Sequence, residues 1–103
     1  MKKIVLLCNQ GMSTGALVRK MRETAEKNNL DYQIDAYAVD TAEENASDAD
    51  VILLGPQIRF KKNEISEMFP NIPVDVIDMT DYGTLNGKKV VIQARKWMKN
   101  NEE

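Results

Sequence analysis

The chain has one cysteine and no histidine. Cys8 closes a short apolar run, Ile4-Val5-Leu6-Leu7, and opens the stretch Asn9-Gln10-Gly11-Met12-Ser13-Thr14-Gly15. A loop of this composition ahead of a helix can turn several backbone N–H groups inward. The helix adds partial positive charge, so the stretch suits an anion. Gly11 and Gly15 permit positive φ and close backbone approach. A thiol at the head of an anion cradle points to a cysteine that carries a phosphoryl group. Without histidine there is no Cys-His or Ser-His nucleophilic pair and no phosphohistidine carrier. A reactive Cys8 must rely on backbone dipoles and hydroxyls to hold its thiolate. A thiophosphate dianion needs several donors, which the amides from Asn9 to Gly15 and the hydroxyls of Ser13 and Thr14 can supply. Each such charge-assisted bond is worth about 1.5–3 kcal/mol, which matters because the loop has no Lys or Arg. The loop alone also admits Cys8 as an ordinary core cysteine. Ser13 is read both as a phosphate ligand and as the helix N-cap, two compatible roles.

The elements that must hold this stretch follow from the apolar pattern. Residues 1–7 read as a central strand buried on both faces. Leu17, Val18, Met21 and Ala25 recur at helical spacing and predict a helix over 16–27. Residues 32–39 alternate, as an edge strand does. Thr41 and Glu44 form a capping-box pattern opening a short helix to about residue 47. Val51 to Leu54 is a second fully apolar strand, broken by Gly55-Pro56. A third helix is expected from about Lys61 to Pro70. Residues 73–77 make a fourth strand, with Asp75 marking an edge. A loop through Asp78, Asp81, Tyr82 and Gly83 follows, then a helix over 86–99, with Trp97 in the core. Strand and helix thus alternate four times, which predicts an α/β fold with a parallel four-stranded sheet and helices on both faces. Two central-looking and two edge-looking strands give the order 2-1-3-4. The switch point then lies between strands one and three, and the loops at Cys8 and at Gly55-Pro56-Gln57 share one crevice.

The totals narrow the class. The 103 residues are read as one domain over 1–103, 43% hydrophobic and 29% charged, ordinary for a soluble globular protein. A net charge of −2, with no basic face and no aromatic interleaving, speaks against a nucleic-acid partner. The run after Lys2-Lys3 is too short for a signal peptide, and no run approaches the ~20 apolar residues of a membrane span. A cytoplasmic protein without direct membrane insertion is expected. One cysteine without histidine cannot build a usual zinc site, and neither a metal nor an organic cofactor is expected.

Cys8-x-x-Gly11-Met12-Ser13-Thr14, in register with Leu53-Leu54-Gly55-Pro56-Gln57-Ile58, resembles the enzyme IIB subunits of the bacterial sugar phosphotransferase system, lactose/cellobiose (diacetylchitobiose) family. The resemblance runs along essentially the whole chain. It implies a fold like that of the low-molecular-weight tyrosine phosphatases. It also implies that Cys8 takes a phosphoryl group from a phosphohistidine on a IIA partner and passes it to a β-glucoside-type disaccharide bound by the membrane partner IIC. Phosphate binding is then expected at Asn9, Gln10, Gly11, Met12, Ser13, Thr14 and Gly15. Partner binding is expected at Met12, Gly55, Pro56, Gln57, Ile58 and Arg59, in a monomer. Arg59 either offers charge near the phosphoryl group or is solvated and idle. A phosphatase or arsenate-reductase-like hydrolase is the first alternative, but the arginine of the phosphatase loop Cys-x5-Arg falls here on Thr14. In-line attack by water would lose its main electrostatic stabiliser. Asp78 to Tyr82 is only loosely similar to the acidic loop of those enzymes. A flavodoxin-like module holding a flavin phosphate is the second alternative.

Overall fold

A computed structural model describes residues 1–9 and 12–102, with the backbone alone at 12–13 and 99–102. Strands β1 (Lys2–Cys8), β2 (Tyr32–Ala38), β3 (Val51–Leu54) and β4 (Val74–Val76) form one parallel sheet in the order β2-β1-β3-β4. Leu7 lies opposite Tyr37 on one side and Leu54 on the other. The two central strands are apolar because both their faces are covered. Ile4, Leu6, Val51 and Leu53 pack with Leu17, Val18 and Met21 of helix α1 (Met12–Lys27) and with residues of the last helix, Gly87–Glu102. Val5, Leu7, Ile52 and Leu54 meet Ala42 of helix α2 (Ala42–Asn45), Ile65 of helix α3 (Lys62–Met68) and Phe69 just beyond it. Burying each such Leu or Ile stabilises the fold by about 1.5–3 kcal/mol. Helix α4 (Met79–Gly83) follows β4, and α5 (Gly87–Glu102) closes the chain.

Four local expectations are corrected. Helix α1 begins at Met12 instead of 16, so Met12 to Gly15 form its first turn and not a loop. Ser, Thr and Gly are poor helix formers, but packing decides the outcome here: Thr14 and Leu17 are buried in this first part of the helix. Ser13 therefore lies within the helix and not at its N-cap. Gly15 has no positive φ. The capping box is not made, because the Thr41 hydroxyl donates to Ala38 O at 2.8 Å and accepts from Asn45 Nδ2 at 3.0 Å. Residues 79–83, read as loop, are helical because Asp78 Oδ1 accepts from Thr80 N and Asp81 N at 2.9 and 3.1 Å. A 3-10 segment, Pro56–Lys61, precedes α3 and is kinked at Ile58. Val90 and Val91 lie in α5, as the spacing predicts.

Candidate functional site

Strand β1 ends on Cys8 at the carboxyl edge of the sheet, and α1 starts four residues later. The thiol is 3% exposed, and its S–H donates to Tyr37 O of the neighbouring edge strand at 3.7 Å. A groove of about 290 Å³ runs from Cys8 between α1 and β2, lined also by Gly15, Val18, Arg22, Asp35 and Tyr37. Cys8 therefore borders the groove although little of the residue is exposed. The first amides of α1 have no partners within the helix and can face an anion next to the thiol.

The exit of β3 closes the other side. Gly55 N–H donates to Leu7 O at 2.9 Å, which draws the Gly55-Pro56 turn against the end of β1. A Cβ on Gly55 would lie 3.1 Å from Gln57 Oε1 and 3.7 Å from Leu7 O, so it would fit once the exposed Gln57 side chain shifts by a few tenths of an ångström. From α4, the Tyr82 hydroxyl meets Thr14 Oγ1 at 2.9 Å. Its ring edge comes within 3.8 Å of the same Gly55 position. The carboxyl end of the sheet thus carries Cys8, the first turn of α1, the Gly55 turn and Tyr82, but the groove at Cys8 opens toward β2, and Pro56, Gln57, Arg59 and Tyr82 line a separate hollow on the β3 side.

The expected site residues separate into groups. Asn9 is exposed beside Cys8, and Thr14 is buried within the first turn of α1. Gly15 is exposed in the helix. Gln10 and Gly11 lie outside the described residues, as do the side chains of Met12 and Ser13. On the second loop, Gln57 and Arg59 are exposed and Arg59 Nη1 donates to Pro56 O at 3.1 Å. Gly55 and Pro56 are buried, and Ile58, 2% exposed, belongs to the second core cluster. As a surface contact Ile58 is corrected: the kink at this residue turns it inward. Phe60, 76% exposed, stands in its place on the surface.

Sequence reasoning missed two residues. Arg22 lines the groove, seven positions after Gly15 and on the same helix face. That spacing could have found it. Its guanidinium is already committed, with Nη2 2.6 Å from Ile34 O and 2.9 Å from Asp35 Oδ1. Tyr82 carried no signal, because its partner Thr14 is 68 positions away. Among the described residues no group of three His, Cys, Asp or Glu could hold a metal ion, and no helix is long and apolar enough to cross a membrane.

A family model described as "PTS system, Lactose/Cellobiose specific IIB subunit" matches residues 3–93. The chain belongs to this family. IIB subunits are phosphotransferase components of the sugar phosphotransferase system and work with IIA and IIC partners. The chain is similar to the oligo-beta-mannoside-specific EIIB component of Bacillus subtilis, 45% identical over 97% of this chain and 99% of that protein. It is also similar to the cellobiose-specific EIIB component of Lactococcus lactis, 41% identical over 94% and 96% of the two chains. The solution structure of a cellobiose-specific phosphotransferase IIB component from Borrelia burgdorferi superposes with a TM-score of 0.81 at 38% identity, covering 97% of this chain and 94% of that one. As a IIB domain, the chain shares the fold of the low-molecular-weight tyrosine phosphatases.

Proposed function

We propose that this IIB subunit carries its phosphoryl group on Cys8, between a phosphohistidine on IIA and a β-glucoside-type disaccharide held by IIC. In the first step the Cys8 sulfur attacks phosphorus, the P–N bond breaks and the imidazole keeps that electron pair. The thiol proton leaves to solvent. In the second step a sugar hydroxyl oxygen attacks phosphorus, the P–S bond breaks and the sulfur departs as thiolate, while the hydroxyl loses its proton. The protein contributes positioning and charge stabilisation. One observation carries the reading: the chain's only cysteine borders a groove at the carboxyl end of β1, beside the first turn of α1. Phosphate contacts come from Asn9 to Gly15, and Gln57, Arg59 and Phe60 form the rim that meets partners. The subunit acts as a cytoplasmic monomer. The relatives are named for oligo-beta-mannoside, galactose and cellobiose, and the cellobiose-specific one supports the β-glucoside class.

Hydrolysis is disfavoured by the same geometry. The phosphatase arginine position is occupied by Thr14, and Arg22 is bonded to β2 instead of facing the thiol. Of the two aspartates in the stretch loosely similar to the acidic loop of such hydrolases, Asp78 is committed as the cap of α4.

Incubation with phosphoenolpyruvate, the general phosphotransferase proteins and a cognate IIA tests the reading. The intact mass should rise by one phosphoryl group, and Cys8→Ser should form no cysteine-linked species. A wild-type chain that stays unmodified beside a IIA competent toward another IIB would refute it.

A further inference from the structure

The Thr14–Tyr82 contact has no role in the transfer as written above. Thr14, 1% exposed, is the one buried polar side chain among the described residues. Its hydroxyl is paired with the Tyr82 phenol at 2.9 Å. Tyr82 is held on its own account. Its N–H donates to Asp78 O at 2.9 Å, its carbonyl accepts from Leu85 N at 3.2 Å, and Asn86 N donates to Asp81 O at 2.8 Å. Its ring packs on the core below α1 and α5 and reaches the Gly55 turn. One side chain therefore joins the first turn of α1 to the Gly55 turn.

Two hydroxyls that share one hydrogen bond use one of their two protons. We propose that Tyr82 is a positioning residue of the phosphoryl site, donating to Thr14 Oγ1 so that the Thr14 proton is aimed at a phosphoryl oxygen on Cys8. The inference rests on the phosphocysteine reading above. A phenol is the stronger donor of the two hydroxyls, and Oγ1 as acceptor keeps its own hydrogen free. Donation by Tyr82 also polarises the Thr14 O–H and strengthens the bond it gives. The contribution is significant in a loop with no cationic side chain, where each oriented donor bears a larger share of the dianion.

The test uses the full chain, equilibrated with a phosphohistidine-bearing IIA, and reads the ratio of loaded to unloaded protein by intact mass. Tyr82→Phe keeps the ring and removes the oxygen. It should lower that ratio about tenfold, the loss of one well-aimed donor to a charged group. Thr14→Val should lower it at least as far, Thr14→Ser should stay near wild type, and the Tyr82→Phe/Thr14→Val double variant should be no worse than Thr14→Val alone. A merely structural role would lower the melting temperature and leave this non-additivity absent. Should Tyr82→Phe melt below the assay temperature, the Ser against Val comparison at position 14 decides, and equal loss in both overturns the inference. A Tyr82→Phe protein that loads to the wild-type ratio, or effects that multiply, overturns it while leaving phosphocysteine intact. A wild type that never loads overturns both readings.

Discussion

Gly15 lies beside the thiol groove in a helical conformation, with nothing within 4 Å of where a Cβ would stand. Its glycine is therefore not required by backbone strain, and helix propensity alone predicts the effect of replacing it. Gly15→Ala should stabilise the chain by about 0.5–1 kcal/mol, raising the melting temperature by a few degrees. A lower melting temperature would mean that the first turn of α1 leaves helical geometry. Gly55 is a milder case, since its Cβ would crowd only the end of the exposed Gln57 side chain, at 3.1 Å, which can shift. At this scale Cys8 and Gly55 were legible because each interrupts an apolar run, leaving a residue type that the run does not explain. Tyr82 was not legible, because a hydroxyl pair formed between two helices, by residues 68 positions apart, leaves no mark on local spacing. Ile58 misled for a related reason: its neighbours are polar and exposed, and only the kink in the backbone turns it into the core.

The helices differ in what ends them and what they touch. Helix α1 stops in a Schellman turn, with Leu30 N donating to Ala25 O at 2.9 Å and Asn29 N to Glu26 O at 3.2 Å. Asn29 takes φ 55° there, so Asn29→Gly should gain about 0.5–1 kcal/mol in denaturant unfolding. Where α5 starts, Gly87 meets α1 so closely that a Cβ would lie 2.5 Å from the Lys20 carbonyl carbon and 2.7 Å from Met21 N. Backbone cannot give way as a side chain can. Gly87→Ala should therefore cost about 1–3 kcal/mol, and an unchanged unfolding midpoint would show that α1 and α5 can slide apart. On the edge strand β4, Asp75 Oδ2 accepts from Trp97 Nε1 at 2.7 Å and Gln93 Nε2 at 2.8 Å. This explains why Trp97 is only partly buried where its spacing suggests full burial. The strands were legible because both central ones are continuous apolar runs and the edge ones are not. Helix α4 was hidden, since five residues without an apolar period become helical only through the Asp78 cap.

Across the whole molecule, the Lys3 ion pair and the proposed phosphoryl site sit at opposite ends of β1. At the amino-terminal end, Lys3 Nζ pairs with Asp48 Oδ1 at 2.7 Å and Lys3 N donates to Asp50 Oδ2 at 2.7 Å, tying the start of β1 to the approach to β3. The hydrogen bond from Lys3 holds the Asp48 carboxyl below its ordinary 3.8, and the same bond raises Lys3 above 10.5. A lowered carboxyl stabilises the fold above its ordinary value and ceases to as pH falls through the folded one. A raised lysine contributes below 10.5 and ceases to as pH rises through its own folded value. Asp48→Asn should therefore melt slightly below wild type at pH 7, with the gap closing in acid below 3.8 and shrinking in high salt. Phosphoryl loading at the far end should not change. A gap that persists in acid would mean the pair acts by packing rather than charge. The carboxyl end has a further property. Tyr37 O is served by the Cys8 thiol only while the sulfur keeps its hydrogen. In the proposed loaded state that hydrogen is gone, so the thiol's contact with Tyr37 O is lost while the strand pairing of Cys8 with Ala38 can remain. Loading would thus remove one contact between the thiol and the edge strand at Tyr37, and the outer strand is where an empty carrier and a full one would differ first.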